Sequence, residues 1–433
     1  MENNPQKNPA LRLLIGFLVG LGAALVFRSL GWPTESVTPV ARVLGELFLR
    51  GIFMLIFPLV VPMLLLGIRL LARTGQIGRI GLSTIFTVMG LTGVAASLGL
   101  LLASTLKPGH ALSPETRTQL LQQFGAPTTP TTPLDGSFLL NLLPKNPFYD
   151  LSTAFTSSQQ GGLLAVVVFT LLLGIALAHL PPERTDTFYQ ITHTLYEASL
   201  WLLQKLMYWI APFGIAGLIF QAGVSLGGEI FWLLGAYVGV VLLGLVVQGI
   251  GVYSLFLWLF ARRNPWQVLR QSSPALLVAF SSASSNATLP TTLYTALERL
   301  RLAPPVAHFI LTLGATVNQN GTALYEGVTL IFLGQAFGVS FSLADQAFLI
   351  GIAILIAIGA AGVPGGSLPL LASILPFFGL PPGAIALIYG IDRLLDMART
   401  TLNVYGDLVI ASYLNRLYHG TPDHASRTQS LAQ

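Results

Sequence analysis

The chain reads as an all-α integral membrane protein of about eight spanning helices plus two helical hairpins that enter the bilayer and turn back. Three observations predict this class. Of 433 residues, 53% are hydrophobic and only 9% are charged, against about 25% charged in a typical soluble domain, so the polar side chains cannot cover a water-facing surface. Apolar stretches close to the roughly 20-residue length of a spanning helix recur along the chain. After Gln271, Ser-rich and Gly-rich runs cut such stretches into halves.

In chain order, Leu13–Val26 supplies the first helix. It could instead be a signal-peptide core, but the flank Phe27-Arg28-Ser29-Leu30 lacks a small-x-small cleavage pattern, which favours a retained helix. Ile52–Ile68 and Ile80–Leu106 give the second and third helices, and Lys107 to Gly136, polar and rich in Pro and Thr, reads as an external loop. Leu139–Leu180 has a polar middle in which Asn146-Pro147 should break the fourth helix, with Lys145 at the interface. Leu195–Phe220 and Ile230–Phe260 follow, and three more apolar segments lie beyond Ala275. The tail from His419 to Gln433 is polar and reads as disordered.

Positive charge gathers beside particular connections. Arg73 and Arg79 flank one, Arg262, Arg263 and Arg270 another, Arg299 and Arg301 a third, and Arg416 follows the last helix. By the positive-inside rule these face the cytoplasm, and Lys7 and Arg12 put the N-terminus there as well. The expected location is a plasma (inner) membrane with both ends cytoplasmic. The net charge of +5 therefore speaks of orientation in a lipid bilayer and not of a nucleic-acid partner. With no cysteine there is neither a disulfide framework nor a thiolate metal site, and the lack of a Gly-rich phosphate loop leaves nucleotide-driven pumping without support. No catalytic residues or bound cofactor are expected.

Two breaks carry the functional signal. Ser281 to Pro290 interrupts one apolar stretch and Gly359 to Ser367 another, each with arms of about half a span. They could be extramembrane loops, but neither carries a charge. Irregular backbone at membrane depth is tolerated only where it is buried in protein or lines a cavity, and paired breaks point to a transporter's midplane site. Between them, Asn318-Gln319-Asn320-Gly321 reads as an unwound turn presenting oxygens, the donor type that suits hard monovalent cations. Helix packing would account for one amide there, and poorly for three.

A helix from Ile391 to Tyr413 carries Asp392, Asp396, Arg399, Thr400, Asn403 and Asp407. Their steps of four, seven, eight, eleven and fifteen residues put all six on one stripe. Each uncompensated charge in a bilayer costs about 2.5–3.5 kcal/mol on insertion scales, so the stripe needs partners. A cation and an anion one turn apart fit a ligand with both a carboxylate and an ammonium, such as aspartate or glutamate.

Four motifs in this order, Ala287-Thr288-Leu289-Pro290, Asn318 to Thr322, Gly362-Val363-Pro364-Gly365 and Asp392 to Asp407, give a chain that resembles the dicarboxylate/amino acid:cation symporters from the first helix to Leu414. The resemblance implies a homotrimeric elevator. Its scaffold would be helices 1–2 (1–76) and 4–5 (137–226), beyond an external loop at 110–136. Its transport domain would hold helix 3 (77–109), helix 6 (227–264), hairpin 1 (265–301), helix 7 (302–337), hairpin 2 (343–380) and helix 8 (381–418), followed by a cytoplasmic tail (419–433). It also implies that Arg399 binds the substrate's side-chain carboxylate and Asp396 its ammonium. Thr400, Asn403, Ser284, Ser285, Thr322 and the backbone of Val363, Pro364, Gly365 and Gly366 would complete the pocket. An acidic amino acid is favoured over a C4-dicarboxylate, which would leave Asp396 facing like charge.

Coupling departs from the relatives. Sodium-driven members read Asn-Met-Asp-Gly-Thr in the unwound turn, where this chain has Gln319 and Asn320. The third-helix tyrosine, threonine and serine of the same cation site become Val88, Leu91 and Thr92. A residual sodium position built from Asp407 with carbonyls of Gly314, Asn318 and Asn403 keeps its carboxylate. Glu326 stands where proton-cotransporting relatives carry glutamate, and a desolvated carboxyl can load and unload a proton as its surroundings change. Met397 replaces the basic residue that accompanies potassium counter-transport, and Ala283 replaces an arginine of some relatives. A proton is thus expected as coupling ion, with sodium, or a proton/C4-dicarboxylate symporter, as the alternatives.

Rival classes fare worse. A membrane serine hydrolase using Ser284 or Ser285 has no histidine placed as base, and an anion channel would not call for an Arg–Asp pair between two hairpins. His308 reads as a packing or interface residue, and Asp392 as either an ion pair with Arg393 or a transport residue.

Overall fold

The computed structural model describes residues 9–34, 36–74, 79–110, 112–127, 143–144, 146–149, 162–226, 229–359 and 367–419. Among these residues helices and turns account for the regular structure and no strand occurs. The chain begins with α1 (Pro9–Ser29), α2 (Thr38–Thr74) and α3 (Arg79–Leu106).

The segment expected to be an external loop contains α4 (Pro114–Phe124). Ser113 caps it by accepting from the Thr116 amide, Pro114 opens the first turn and Glu115 lies within it. That is a helix-start signature, and the low hydrophobicity of the segment hid it. Ser113 also donates its amide to Glu229 at 3.1 Å, and Arg117 reaches the Gln335 carbonyl at 3.4 Å, which fastens α4 to its neighbours.

Next come α5 (Gly162–Ala178), α6 (Pro182–Trp209) and α7 (Ala211–Leu226). The α6–α7 pair bends by 56°. At the predicted break of the fourth helix, Asn146 accepts from the amides of Phe148 at 3.0 Å and Tyr149 at 3.3 Å, so it caps a new turn instead of continuing an old one. Lys145 lies outside the described residues. Helix α8 (Glu229–Val246) runs on through a π-turn at Val247–Val252, the turn Tyr253–Phe256 and a second π-turn at Leu257–Ala261.

The first hairpin consists of α9 (Pro265–Ser282) and α10 (Ser285–Tyr294). Its break is narrower than the Ser281–Pro290 run suggests. Only Ala283, left-handed at φ 49°, and Ser284 leave the helical conformation, because the Ser284 side chain caps α10 and lets the helix restart at once. Then α11 (Pro304–Val317) and α12 (Asn320–Phe337) meet at the predicted unwinding, with Asn318 and Gln319 outside helical geometry. In the second hairpin α13 (Leu343–Gly359) and α14 (Ser367–Ile374) are described, whereas 360–366 are outside the described residues. The last helix, α15 (Ala386–His419), extends beyond the Ile391–Tyr413 stretch at both ends. Asn415, past Tyr413, accepts from the Ala303 amide at 2.8 Å and so fixes the following turn.

Among the described residues two helices are long and apolar enough to cross a membrane, Arg79–His110 and Glu229–Ala261, and the bent pair would make a third. Among those residues the apolar parts of α13 and α5 are shorter than a span, and α15 carries the polar stripe. The outer surface is as apolar as the composition demands: Trp232 is 79% exposed and Leu277 71%.

Helices α1, α2, α5, α6 and α7 pack on one another. Around α15 gather α8, α9, α10, α11 and α12, with α3 laid along α12. The α3–α12 contact is close to backbone on backbone. A Cβ at Gly99 would run into the Leu324 carbonyl, and one at Gly327 would sit 2.8 Å from the Ala96 carbonyl. Gly99→Leu should therefore force the helices apart, lowering stability by about 1–3 kcal/mol or more. Thermal unfolding of the purified variant checks this, and an unchanged midpoint would mean that the contact is looser than described.

Candidate substrate and ion site

Helix α15 is enclosed by protein along most of its length, so its polar stripe must find partners inside. Asp392, Asp396, Arg399, Thr400, Asn403 and Asp407 are all buried, Arg399 to within 1%. One guanidinium nitrogen, Nη2, lies 2.9 Å from Asp396 and 3.2 Å from Asp392. The other, Nη1, donates to Ser367 Oγ at 3.0 Å. The ring of Tyr325 lies under the guanidinium, 3.9 Å from its carbon, a cation–π contact that a desolvated site strengthens.

Arg393 pairs with Asp396 at 3.5 Å, not with its sequence neighbour Asp392. Adjacent residues on a helix point about 100° apart, whereas those three, four or seven apart share a face. Asp392 is thus an Arg399 partner. Sequence reasoning missed Ser367 and Tyr325. The available signals were a serine closing the Gly-rich run and an aromatic one turn beyond Thr322.

The unwound turn presses against α15. Asn318 donates from one amide nitrogen to Asp407 at 2.8 Å and to the Asn403 carbonyl at 3.2 Å. Its own amide hydrogen goes back to the Gly314 carbonyl at 2.8 Å. Among the described residues Asn318 Oδ1 has no hydrogen-bond partner. Gly314, Asn318, Asn403 and Asp407 are therefore together, with Asn318 bonding the Asp407 carboxylate and the carbonyls of Gly314 and Asn403. Asn403 is held at both ends, by the Gly321 amide at 2.7 Å and by Gln319 Oε1 at 2.5 Å, and Thr322 leans on Gln319 at 3.4 Å. Glycine at 321 is required, since a Cβ there would sit 2.6 Å from the Arg399 carbonyl.

Beside this lies a neutral cluster. Thr92 donates to Asn320 Oδ1 at 2.7 Å, and Asn320 Nδ2 donates to the Tyr253 hydroxyl at 2.8 Å. Both ends of the Asn320 amide are thus engaged, and Val88 and Leu91 are buried apolar residues on the same helix as Thr92. Tyr253 reaches Asn320 from the segment between the two π-turns of α8, a partner that no local pattern foretold.

Glu326, one residue past Tyr325, is fully buried, and neither carboxyl oxygen has a hydrogen-bond partner among the described residues. Ser284 accepts from the Ala287 amide at 3.2 Å as the cap of α10. Ser285 Oγ is buried without a hydrogen-bond partner among the described residues. Val363, Pro364, Gly365 and Gly366 lie outside the described residues. His308 is exposed on α11. Among the described residues no three His, Asp or Glu side chains cluster as a metal site.

Helix α15 thus holds a buried, doubly compensated guanidinium and a carboxylate bonded by Asn318, with the isolated carboxyl of Glu326 on α12. Known proteins of similar sequence are transporters. The neutral amino acid transporter B(0) of Homo sapiens is 32% identical over 443 residues, covering 97% of this chain and 81% of that protein. The neutral amino acid transporter A of Homo sapiens is 33% identical, covering 93% and 80%. A proton/sodium-glutamate symport protein of Bacillus caldotenax is 28% identical, covering 98% and 97%. The description of the sodium:dicarboxylate symporter family matches residues 10–417. With the polar stripe, the unwound turn and these matches in agreement, the chain belongs to the sodium:dicarboxylate symporter family and is a membrane transporter, not an enzyme.

Proposed function

We propose that this transporter concentrates aspartate or glutamate by symport with a proton. The observation that carries the reading is the buried Arg399–Asp396 pair, 2.9 Å apart. A ligand bearing a carboxylate and an ammonium can replace each partner with an equivalent one, the carboxylate going to Arg399 and the ammonium to Asp396. A guanidinium fork suits two carboxylate oxygens better than an ammonium would. Thr400, Asn403, Thr322, Ser284, Ser285 and the backbone of Val363 to Gly366 would hold the remaining polar groups.

The coupling ion follows from two features. An ionised carboxylate is expensive to bury without hydrogen bonds, which favours Glu326 as a group that travels with a proton. Asn320, engaged by Thr92 and Tyr253, offers a cation no charge. Asp407 with Gly314, Asn318 and Asn403 remains a position where sodium could ride as cargo. In this reading 77–109 and 227–418 move as an elevator against the scaffold helices of 1–76 and 137–226, within a homotrimer whose termini face the cytoplasm.

A second reading, a neutral amino acid symporter, draws on the printed names of two relatives and on the pairing of Arg399 with two carboxylates, which leaves its charge balanced without an anionic ligand. Uptake into vesicles of purified protein decides between them. Labelled aspartate and glutamate should accumulate under an inward proton gradient, and alanine and succinate should not. Accumulation that needs sodium alone would overturn the proton; saturable alanine uptake without aspartate uptake would overturn the acidic substrate.

A further inference from the structure

Four charged side chains on α15 form one chain of contacts, Arg393 to Asp396 to Arg399 to Asp392, with separations of 3.5, 2.9 and 3.2 Å. Two cations face two anions, so the cluster is balanced before any ligand arrives. The two carboxylates are not equivalent. Asp396 has the partly accessible side chain, 11% against 5% for Asp392, and is shared with Arg393. Asp392 lies deeper.

We infer that Asp392 is a specificity-determining residue: it is the resident counter-ion of Arg399, and by completing the charge balance it makes an ammonium group obligatory in the ligand. The inference rests on the acidic amino acid reading above. When a carboxylate approaches Arg399, Asp396 is the partner that can turn away, and Asp392 remains. The pocket then holds the ligand carboxylate, Asp392 and Asp396 around one buried guanidinium. A ligand that also brings an ammonium neutralises the displaced Asp396, whereas a dicarboxylate without nitrogen leaves it facing like charge. Without the charge of Asp392, Arg393 and Arg399 would face Asp396 alone, and the unmatched positive charge could take a ligand carboxylate with Asp396 still in place. The ammonium requirement would then relax.

Asp392→Asn keeps the shape and an acceptor for Nη2 while removing the charge. Equilibrium binding of aspartate and succinate to the purified variant reads the effect as a ratio, which misfolding cannot produce. The expected result is a succinate-to-aspartate affinity ratio at least tenfold higher than in the unmodified protein, with Asp392→Glu keeping the original ratio. An unchanged ratio in a folded Asp392→Asn protein overturns the inference. If that variant does not fold, Asp392→Ser reads the same ratio; failure of both beside a folded Asp392→Glu assigns the charge to stability alone and likewise overturns it. An unmodified protein that binds succinate as well as aspartate would instead overturn the acidic amino acid reading. The two failures are therefore told apart.

Discussion

Arg399→Ala is expected to abolish saturable uptake of aspartate and glutamate, with at least a 100-fold loss of affinity. The guanidinium is among the most deeply enclosed side chains of the protein and compensates two buried carboxylates. Truncating one partner of a buried, hydrogen-bonded charge pair across a binding interface costs about 2–5 kcal/mol of affinity, and at about 1.4 kcal/mol per tenfold the middle of that range is more than two orders of magnitude. Here two carboxylates would be stranded, and the ring face of Tyr325 would lose its cation. Lysine should not restore function, since a point charge on a flexible stem cannot engage Asp392, Asp396 and Ser367 together. Labelled uptake, with thermal unfolding in the presence and absence of aspartate, checks the prediction. Full aspartate uptake by the alanine variant would remove Arg399 from the substrate site.

Glu326→Gln is expected to uncouple transport from the proton gradient. Glutamine has nearly the same shape and carries no titrating proton, and Glu326 makes no hydrogen bond among the described residues that the exchange would break. Binding should therefore stay within about twofold, since no charge-assisted contact is lost. Exchange of internal for external substrate should continue, while accumulation driven by a proton gradient falls to simple equilibration. Vesicle uptake and counterflow on the same preparation separate the two behaviours. Proton-driven accumulation that survives the substitution would pass the role to another carboxyl, with Asp407 the first to test.

The legible parts of the site were those in which a run of residues declares itself. Six polar positions on one helical face and an Asn-Gln-Asn-Gly interruption are local anomalies in an apolar chain, and α15 and the 318–319 turn follow from them. What was hidden depends on partners far apart in sequence. Thr92 meets Asn320 across 228 positions, and Asn320 meets Tyr253 across 67. Ser367 meets Arg399 across 32 positions, from the start of α14. Of the two readings left open for Asp392, the ion pair with the adjacent Arg393 is replaced by one with Arg399, because helical geometry turns the neighbour away. Helix α4 was overlooked because hydropathy dominates the reading of such a chain, although its cap and first turn were written in Ser113-Pro114-Glu115.

The glycine contact between α3 and α12 has a mechanical meaning. Where backbone meets backbone at Gly99 and Gly327, there are no long side chains to yield, so neither helix can slip along the other. Thr92, one helix over from the unwound turn, is bonded to Asn320 across that same seam. The 318–320 turn is thus tied at once to α3 through Thr92, to α15 through Asp407 and to the Tyr253 segment that continues α8, so the site is clamped by three helices besides its own.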